Sequence, residues 1–521
     1  MLDAKKVILT LADNTTNTIT DSSRLSTEED YSAAIYSKED LIINGNGTLN
    51  VNAGYRNGIK STDDCIIVSG TLNITSTEDG IIGKDLCGIV AGDININAGS
   101  DGIKSTYDTD TTKGNVIIEG GNITIKASND GIQAENILVI NDGTINIKTN
   151  NGAADTTQTH IDNMDMGRGG FGFNNNKTTT TTDDTSESRK GIKAGNMLII
   201  NDGDITIDSD DDSVHCNSVI YIYGGTINAA TGDDGVHADD LLTVNGGTIN
   251  ITQCYEGIEA DDIVINDGDI SVVSSDDGIN SSDGSITING GNLLINASGD
   301  GLDANGSIII NGGYIVVLGP TSDGDTAIDY DDSCTINGGT VMAFGSSGML
   351  EIPKGASNGA CIVTAFTSVS GGSKYTLSDS NGNEILSYTP SKAYAAAIVY
   401  SDKITTGNTY NITAGSTTLS IEVTSDVTSN VSSGFGGAGG MNKPGNGGSG
   451  MPNNGSSDNG MNGNSNGSMP DMSGNGAPDM NGNSSGDMPS MGGNSSNNGG
   501  NMPNMNNGSS NGSAPQMNNR M

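Results

Sequence analysis

The chain has no tryptophan, only 4 % aromatic residues and three histidines in 521 residues. A flat tryptophan platform for a crystalline polymer is therefore excluded. Basic residues are scarce too. The 22 Lys and Arg stand against 63 Asp and Glu, for a formal charge of −41. Nucleic acid, whose binding demands cationic neutralisation of phosphates, is excluded as a partner. No apolar run approaches the roughly 18 residues of a membrane-spanning helix. Residues Met1 to Thr10 lack the basic-then-apolar order of a signal peptide. The strand-like VILTL so close to the start leads us to expect a leader removed or missed, and hence an extracellular or cell-surface protein. No CxxC spacing among the six cysteines suggests a zinc site. Gly, Asn, Asp, Thr and Ile stand where a helical enzyme would carry Leu, Ala, Glu and Lys.

What is present is a repeat. A corner motif, acidic–Gly–aliphatic–x–small, recurs as NGIKS (from Asn57), DGIIG (Asp79), DGIKS (Asp101), DGIQA (Asp130) and KGIKA (Lys190). It continues as DSVHC (Asp212), DGVHA (Asp234), EGIEA (Glu256), DGINS (Asp277) and DGLDA (Asp300). The steps are 22, 22, 29, 60, 22, 22, 22, 21 and 23 residues. A second motif follows most corners: INDGTINI (Ile140), INDGDITI (Ile200), VNGGTINI (Val244), INDGDISV (Ile265), INGGNLLI (Ile288) and INGGYIVV (Ile310). Short alternating segments at even spacing, punctuated by Asn-Gly, Asp-Gly and Gly-Gly, mean all-β structure.

Three strands of four to six residues plus turns use roughly 22 residues, one coil of a right-handed parallel β-helix. A left-handed hexapeptide helix needs coils of about 18, and the GGxGxD tandem of a calcium nonapeptide roll is missing. Glycines at fixed offsets are expected to supply positive-φ corners. In VIYIYGG, parity turns Ile220 and Ile222 inward and Tyr221 and Tyr223 outward. Leu242/Val244, Ile263/Ile265 and Leu138/Ile140 follow the same register. Cys65, Cys87 and Cys334 share an inward column. Buried thiols are the plainer reading, and a Cys65–Cys87 disulfide stays open. The β-helix is expected over 1–345, with a Gly/Asn/Thr-rich loop inserted at 153–189. A small antiparallel cap should occupy 346–430. From 431 to 521 the Gly/Asn/Ser/Met/Pro composition predicts a disordered spacer.

Stacking by one coil turns a sequence column into a spatial row. The corner row reads Asp79, Asp101, Asp130, Lys190, Asp212, Asp234, Glu256, Asp277, Asp300. Bare carboxylates about 4.8 Å apart repel. Calcium–oxygen distances of about 2.3–2.6 Å on each side of an ion match that spacing. Asp239, Glu259, Asp261 and Asp303 lie close enough along their coils to complete a shell, although Asp-Gly pairs also simply make good turns. The position two after each Gly reads Lys60, Ile82, Lys104, Gln133, Lys193, His215, His237, Glu259, Asn280, Asp303, and is expected to face outward. Lys60, Lys104 and Lys193 can meet the carboxylates of a polyuronate. His215 and His237 either ligate Zn²⁺ or Cu²⁺ or, the plainer reading, stack at the surface or hydrogen-bond nearby carboxylates. Tyr255, with Tyr55, Tyr107 and Tyr314, is a candidate for stacking on a sugar.

As a set, the DGI–xA corners, the NGGTINI strands, the Gly/Phe-containing insertion and GPTSDGDTAIDYD (from Gly319) resemble one family. It comprises the secreted calcium-binding, carbohydrate-binding β-helix proteins of cellulolytic and gut anaerobes. The resemblance covers about residues 5 to 430. It implies a fold similar to pectate lyases, with binding of polygalacturonate and cellulose in place of catalysis. The function expected is calcium-dependent binding of acidic polysaccharide by Lys60, Lys104, Lys193 and Tyr255. The calcium ligands would come from Asp79, Asp101, Asp130, Asp212, Asp234, Asp239, Glu256, Glu259, Asp277, Asp300 and Asp303. Two other readings stand beside it. One is a lyase with calcium and an Arg or Lys base (Arg56 or Arg189, then Lys104 or Lys193). The other is a structural or adhesive surface rod.

Overall fold

The computed structural model describes residues 4–22, 31–154 and 188–431. The chain divides at Lys443/Pro444, and all described residues precede that division. Apart from two residues at each end, the 153–189 insertion lies outside the described residues. So does the 431–521 tail apart from Val431.

Thirteen consecutive long strands, from Thr16–Asp21 to Thr340–Gly345, form a continuous parallel ladder. Two further strand columns lie in a twenty-three-stranded sheet: the corner strands, such as Val214–Cys216, and the strands that follow, such as Val219–Ile222. The chain thus winds as a parallel β-solenoid. Leu242 pairs with Ile263 in parallel register, one coil apart. Ile132 sits opposite Ile192 across a 60-residue gap in sequence, so the insertion leaves and re-enters the coil without shifting its register.

The core follows from the period-2 alternation of each strand. Leu198, Ile220, Leu242, Ile263, Ile286 and Ile308 stack in one column. All are fully buried, and each such side chain contributes roughly 1.5–3 kcal/mol. The corner column of Ile132, Ile192, Val214, Val236, Ile258 and Ile279 and the long-strand column of Ile205, Ile227, Ile249 and Ile270 close the interior. Small residues (Ala194, Cys216, Ala238, Ala260) sit where the bend is tight. All six cysteines are buried and free; Cys65 and Cys87 face each other in register without a disulfide. Outside, the Asn of the NGG turns forms its own ladder. Asn266, Asn289 and Asn311 each donate Nδ2 to the Oδ1 of the residue one coil earlier, at 2.8–2.9 Å.

The two glycine types differ. The last Gly of each NGG or NDG turn has positive φ (Gly225 81°, Gly247 91°, Gly268 129°). The corner Gly does not. It is required by close approach: a Cβ on Gly102 would lie 2.5 Å from both the Gly131 carbonyl oxygen and Ile125 Cγ2.

Beyond Thr340–Gly345 the pairing turns antiparallel. Tyr394–Ser401 pairs with that strand and with Ala360–Val369. A separate four-stranded antiparallel sheet holds Tyr375–Asp379, Glu384–Tyr388, Thr409–Ala414 and Thr417–Glu422. It shares a second apolar core with Val316, Leu318, Met342 and Phe344 of the last long strands.

Gly102→Ala should therefore lower stability by about 1–3 kcal/mol through overpacking. Gly324→Ala, where a Cβ meets nothing within 4 Å, should be close to neutral. Denaturant midpoints measure both, and equal behaviour would refute the packing argument.

Candidate metal and carbohydrate site

The acidic corner row exists, and it is buried: Asp101, Asp130, Asp212 and Asp234 are each 6 % exposed or less. The reason lies in the backbone. Asp79 Oδ1 accepts the Asp101 N–H (3.1 Å), and Asp101 Oδ1 accepts that of Asp130 (3.0 Å). Asp130 Oδ1 accepts the Lys190 N–H (2.8 Å). Asp212 serves Asp234 in the same way (3.1 Å), and Asp277 serves Asp300 (2.6 Å). One carboxylate oxygen thus caps an amide of the next coil, a group that would otherwise be left unsatisfied at the bend.

The other oxygen meets the side chain three residues later. Asp101 Oδ2 lies 2.6 Å from Lys104 Nζ, and Asp212 Oδ2 lies 2.8 Å from His215 Nδ1. Asp234 Oδ2 lies 3.1 Å from His237 Nδ1. Lys190, the one base in the corner row, reaches Asp211 (2.8 Å) and Asp212 (2.7 Å). Burial pushes Asp212 up, but Lys190 and His215 outweigh it and hold the carboxyl well below its usual range.

From Glu256 onward the arrangement changes, because Glu259, Asn280 and Asp303 replace the basic residues in the column of Lys104. Asp277, Asp300 and Asp303 offer oxygens all within 4.8 Å of one another, and Asp234, His237 and Glu259 form a similar group. Burial, followed by the charge of Asp276 and Asp303, raises Asp277 to about 8. Asp300 is raised to about 8, again first by burial, although the Thr326 amide opposes the shift. Burial and Asp329 raise Asp303 to about 6. Glu256 and Glu259 both rise to about 8, mainly by burial, and Asp234 rises well above its usual range. The all-oxygen group of Asp277, Asp300 and Asp303 has donors of the kind that suit calcium.

The remaining residues fall in less expected places. The column expected to face outward is half-buried or buried beside the carboxylates, with Ile82 2 % and His215 8 % exposed. Lys104 is tied to Asp101, burial lowers the pKa of Lys60, and Lys193 Nζ is 3.2 Å from Ser188 Oγ. Both nitrogens of His215 are engaged, by Asp212 and Asn217, and its ring meets His237 edge-on. Asp239 is half exposed, 3.6 Å from His237 Nε2. Tyr255 is half-buried immediately before Glu256. Tyr107 has Lys84 and Lys113 each 4.8 Å from its ring centroid. Asp211 and Asp233 join Asp212 in a further acidic group. Runs of two or three Asp before the corner residue (210–212 before Ser213, 233–234 before Gly235, 276–277 before Gly278) are the sequence signal for it.

Fold and site together define a parallel β-solenoid with an acidic edge, neutralised by bases at one end and free of them at the other. The chain belongs to the family described as carbohydrate-binding domain-containing protein, whose model matches residues 1–235 and 233–382. A curated carbohydrate-binding domain-containing protein of Acetivibrio thermocellus is 39 % identical over 75 residues, 14 % of this chain and 26 % of that protein. The matched segment thus spans about a quarter of that relative's length. No solved structure matches.

The raised carboxyls carry a pH consequence. Each keeps its proton when folded at a pH where the unfolded chain has lost it, so stability falls as pH rises from about 4 through about 8. In chelator, the melting midpoint should drop across that window. Asp277→Asn/Asp300→Asn, which keeps the Oδ1 acceptors, should flatten the drop. A wild-type midpoint that is constant or rising with pH would contradict the assignment.

Proposed function

We propose that the chain binds acidic polysaccharide of the polygalacturonate type, without cleaving it, at a bacterial surface and with calcium as the bridging cation. The observation that carries this is the half-buried Asp277–Asp300–Asp303 group, each of whose carboxyls is raised first by burial and then by neighbouring carboxylates, with no basic residue among the influences. These three residues would hold one ion, and Asp234 and Glu259, with Glu256 between the two groups, could hold another. Calcium accepts six to eight oxygens, more than three carboxylates in this geometry supply singly. It would offset most of the charge of the acidic edge and leave coordination positions open to uronate oxygens. At −41 overall, the chain repels a polyanion unless cations intervene.

The lysines take a smaller part in this reading than composition suggested. Lys104 is committed to Asp101, and exposed ammonium groups contribute about 1 kcal/mol or less each. Repetition along a polymer still sums weak contacts. Cleavage would need a free base. Arg189 lies 2.7 Å from Asp210, and Arg56 Nε is 3.7 Å from Glu78, so both described arginines are ion-paired. This favours binding over lyase chemistry.

Pull-down on polygalacturonate should require calcium and vanish in EGTA. Asp300→Asn/Asp303→Asn should abolish it, whereas Lys104→Ala/Lys193→Ala should only weaken it. Calcium at a hundredfold excess over Kd should stabilise the wild type by about 2.7 kcal/mol. Equal retention in EGTA, or release of unsaturated uronides at enzyme-like turnover, would overturn the proposal.

A further inference from the structure

We propose that the cleft between the last coils and the C-terminal four-stranded sheet is a second, calcium-independent site that takes a neutral, hydroxyl-rich oligosaccharide against Tyr314. It rests on the carbohydrate-binding reading of the family but not on calcium or on the acidic edge.

The cleft has a volume of about 540 Å³, inside the range of about 300–1,000 Å³ usual for small-ligand sites. Tyr314 forms part of its rod side and is 44 % exposed. Its place in the strand column is unusual: the equivalent positions are Asp269, Asn292 and Thr340. Packing does not account for the tyrosine, because the second core is built from the later residues Val316 and Leu318. Gly313 and Gly339 border the cleft and carry no side chain that could cover the ring.

Facing it are Glu384, Ser387, Asp402 and Lys403. Glu384 is oriented from two sides: Oε1 accepts from Ser387 Oγ (2.6 Å) and Oε2 from Lys374 Nζ (3.1 Å). A pyranose has an apolar face, which an aromatic ring covers, and a rim of hydroxyls, which carboxylates accept and an ammonium donates to. With Glu384 paired to Lys374 and Asp402 beside Lys403, the cleft carries no surplus positive charge for a uronate, which favours an uncharged sugar. This is the reverse of the preference proposed for the calcium-bearing edge.

Titration calorimetry on the full chain in EGTA, with cellohexaose and mannohexaose as probes and hexagalacturonate as comparator, tests the proposal. A neutral hexasaccharide should bind, and hexagalacturonate should not. Tyr314→Ala should weaken binding about tenfold, while Tyr314→Phe, which keeps the ring face, should stay near wild type. Tyr314→Ala should also retain calcium-dependent retention on polygalacturonate, which separates the two sites and shows that the variant is folded. Failure of both neutral probes to bind, indifference to Tyr314→Ala, or tighter binding of hexagalacturonate in EGTA would each overturn it. None of these results would bear on the calcium site.

Discussion

The bond from a corner carboxylate to the amide of the next coil is the constraint on which the acidic edge depends. Wherever it forms, Oδ1 is directed along the solenoid axis and satisfies a backbone group at a tight bend. That fixes the rotamer and brings the carboxyl into the protein, where its second oxygen cannot rely on water. What faces Oδ2 then decides the character of each coil. Lys104 and His215 give the second oxygens of Asp101 and Asp212 a hydrogen-bonding partner, although burial still raises Asp101 to about 6. With Asp303 three residues after Asp300, the same corner gathers charges of one sign. A single structural bond, repeated coil by coil, thus produces a neutral stretch and an electrostatically unfinished one.

Most of the architecture was legible because a solenoid converts period into geometry. The 22-residue step, the parity of VIYIYGG and the shared column of Cys65 and Cys87 all appear in the coordinates as read, since stacking identical coils leaves little freedom of register. The positive-φ expectation held for the NGG glycines and failed for the corner ones. A sequence marks where glycine recurs, but the carbonyl that excludes a Cβ belongs to another coil. The site was legible as a row and not as a set of partners. The order Asp101, Gly102, Ile103, Lys104 does not reveal that Lys104 folds back on Asp101 instead of reaching into solvent, because that depends on how deeply the bend buries both.

The C-terminal face shows the opposite limit. In YIVVL (Tyr314–Leu318) and TVMAFG (Thr340–Gly345) the alternation of apolar and polar residues breaks down, and the nominally outward Val316, Leu318, Met342 and Phe344 are buried. That loss of alternation announces a covering layer. What covers it comes from residues 360–423, and such a pairing is set by long-range packing that no local pattern encodes. The cap therefore does more than close the last coil's edge. It adds a wall to one side of the rod and, with it, a concave surface that the regular coils lack.

The two ends of the corner row also explain why protons would compete with the cation proposed for that edge. Burying an isolated ionised carboxylate costs several kcal/mol after relaxation. A group facing that cost acquires a partner cation or keeps its proton. At Asp212 the partners are Lys190 and His215, and the carboxyl stays ionised across the physiological range. Asp277 and Asp300 have no such partner, so the proton is retained to about pH 8. A divalent cation offers the same relief with two charges and directional oxygen ligation, and it must displace those protons to bind. Any affinity of the edge for the proposed cation would therefore be tied to pH by the same burial that lets each corner carboxylate brace the next coil. Replacing the acidic residues by lysine or histidine, as happens toward the N-terminus, keeps the brace and removes the demand for an ion.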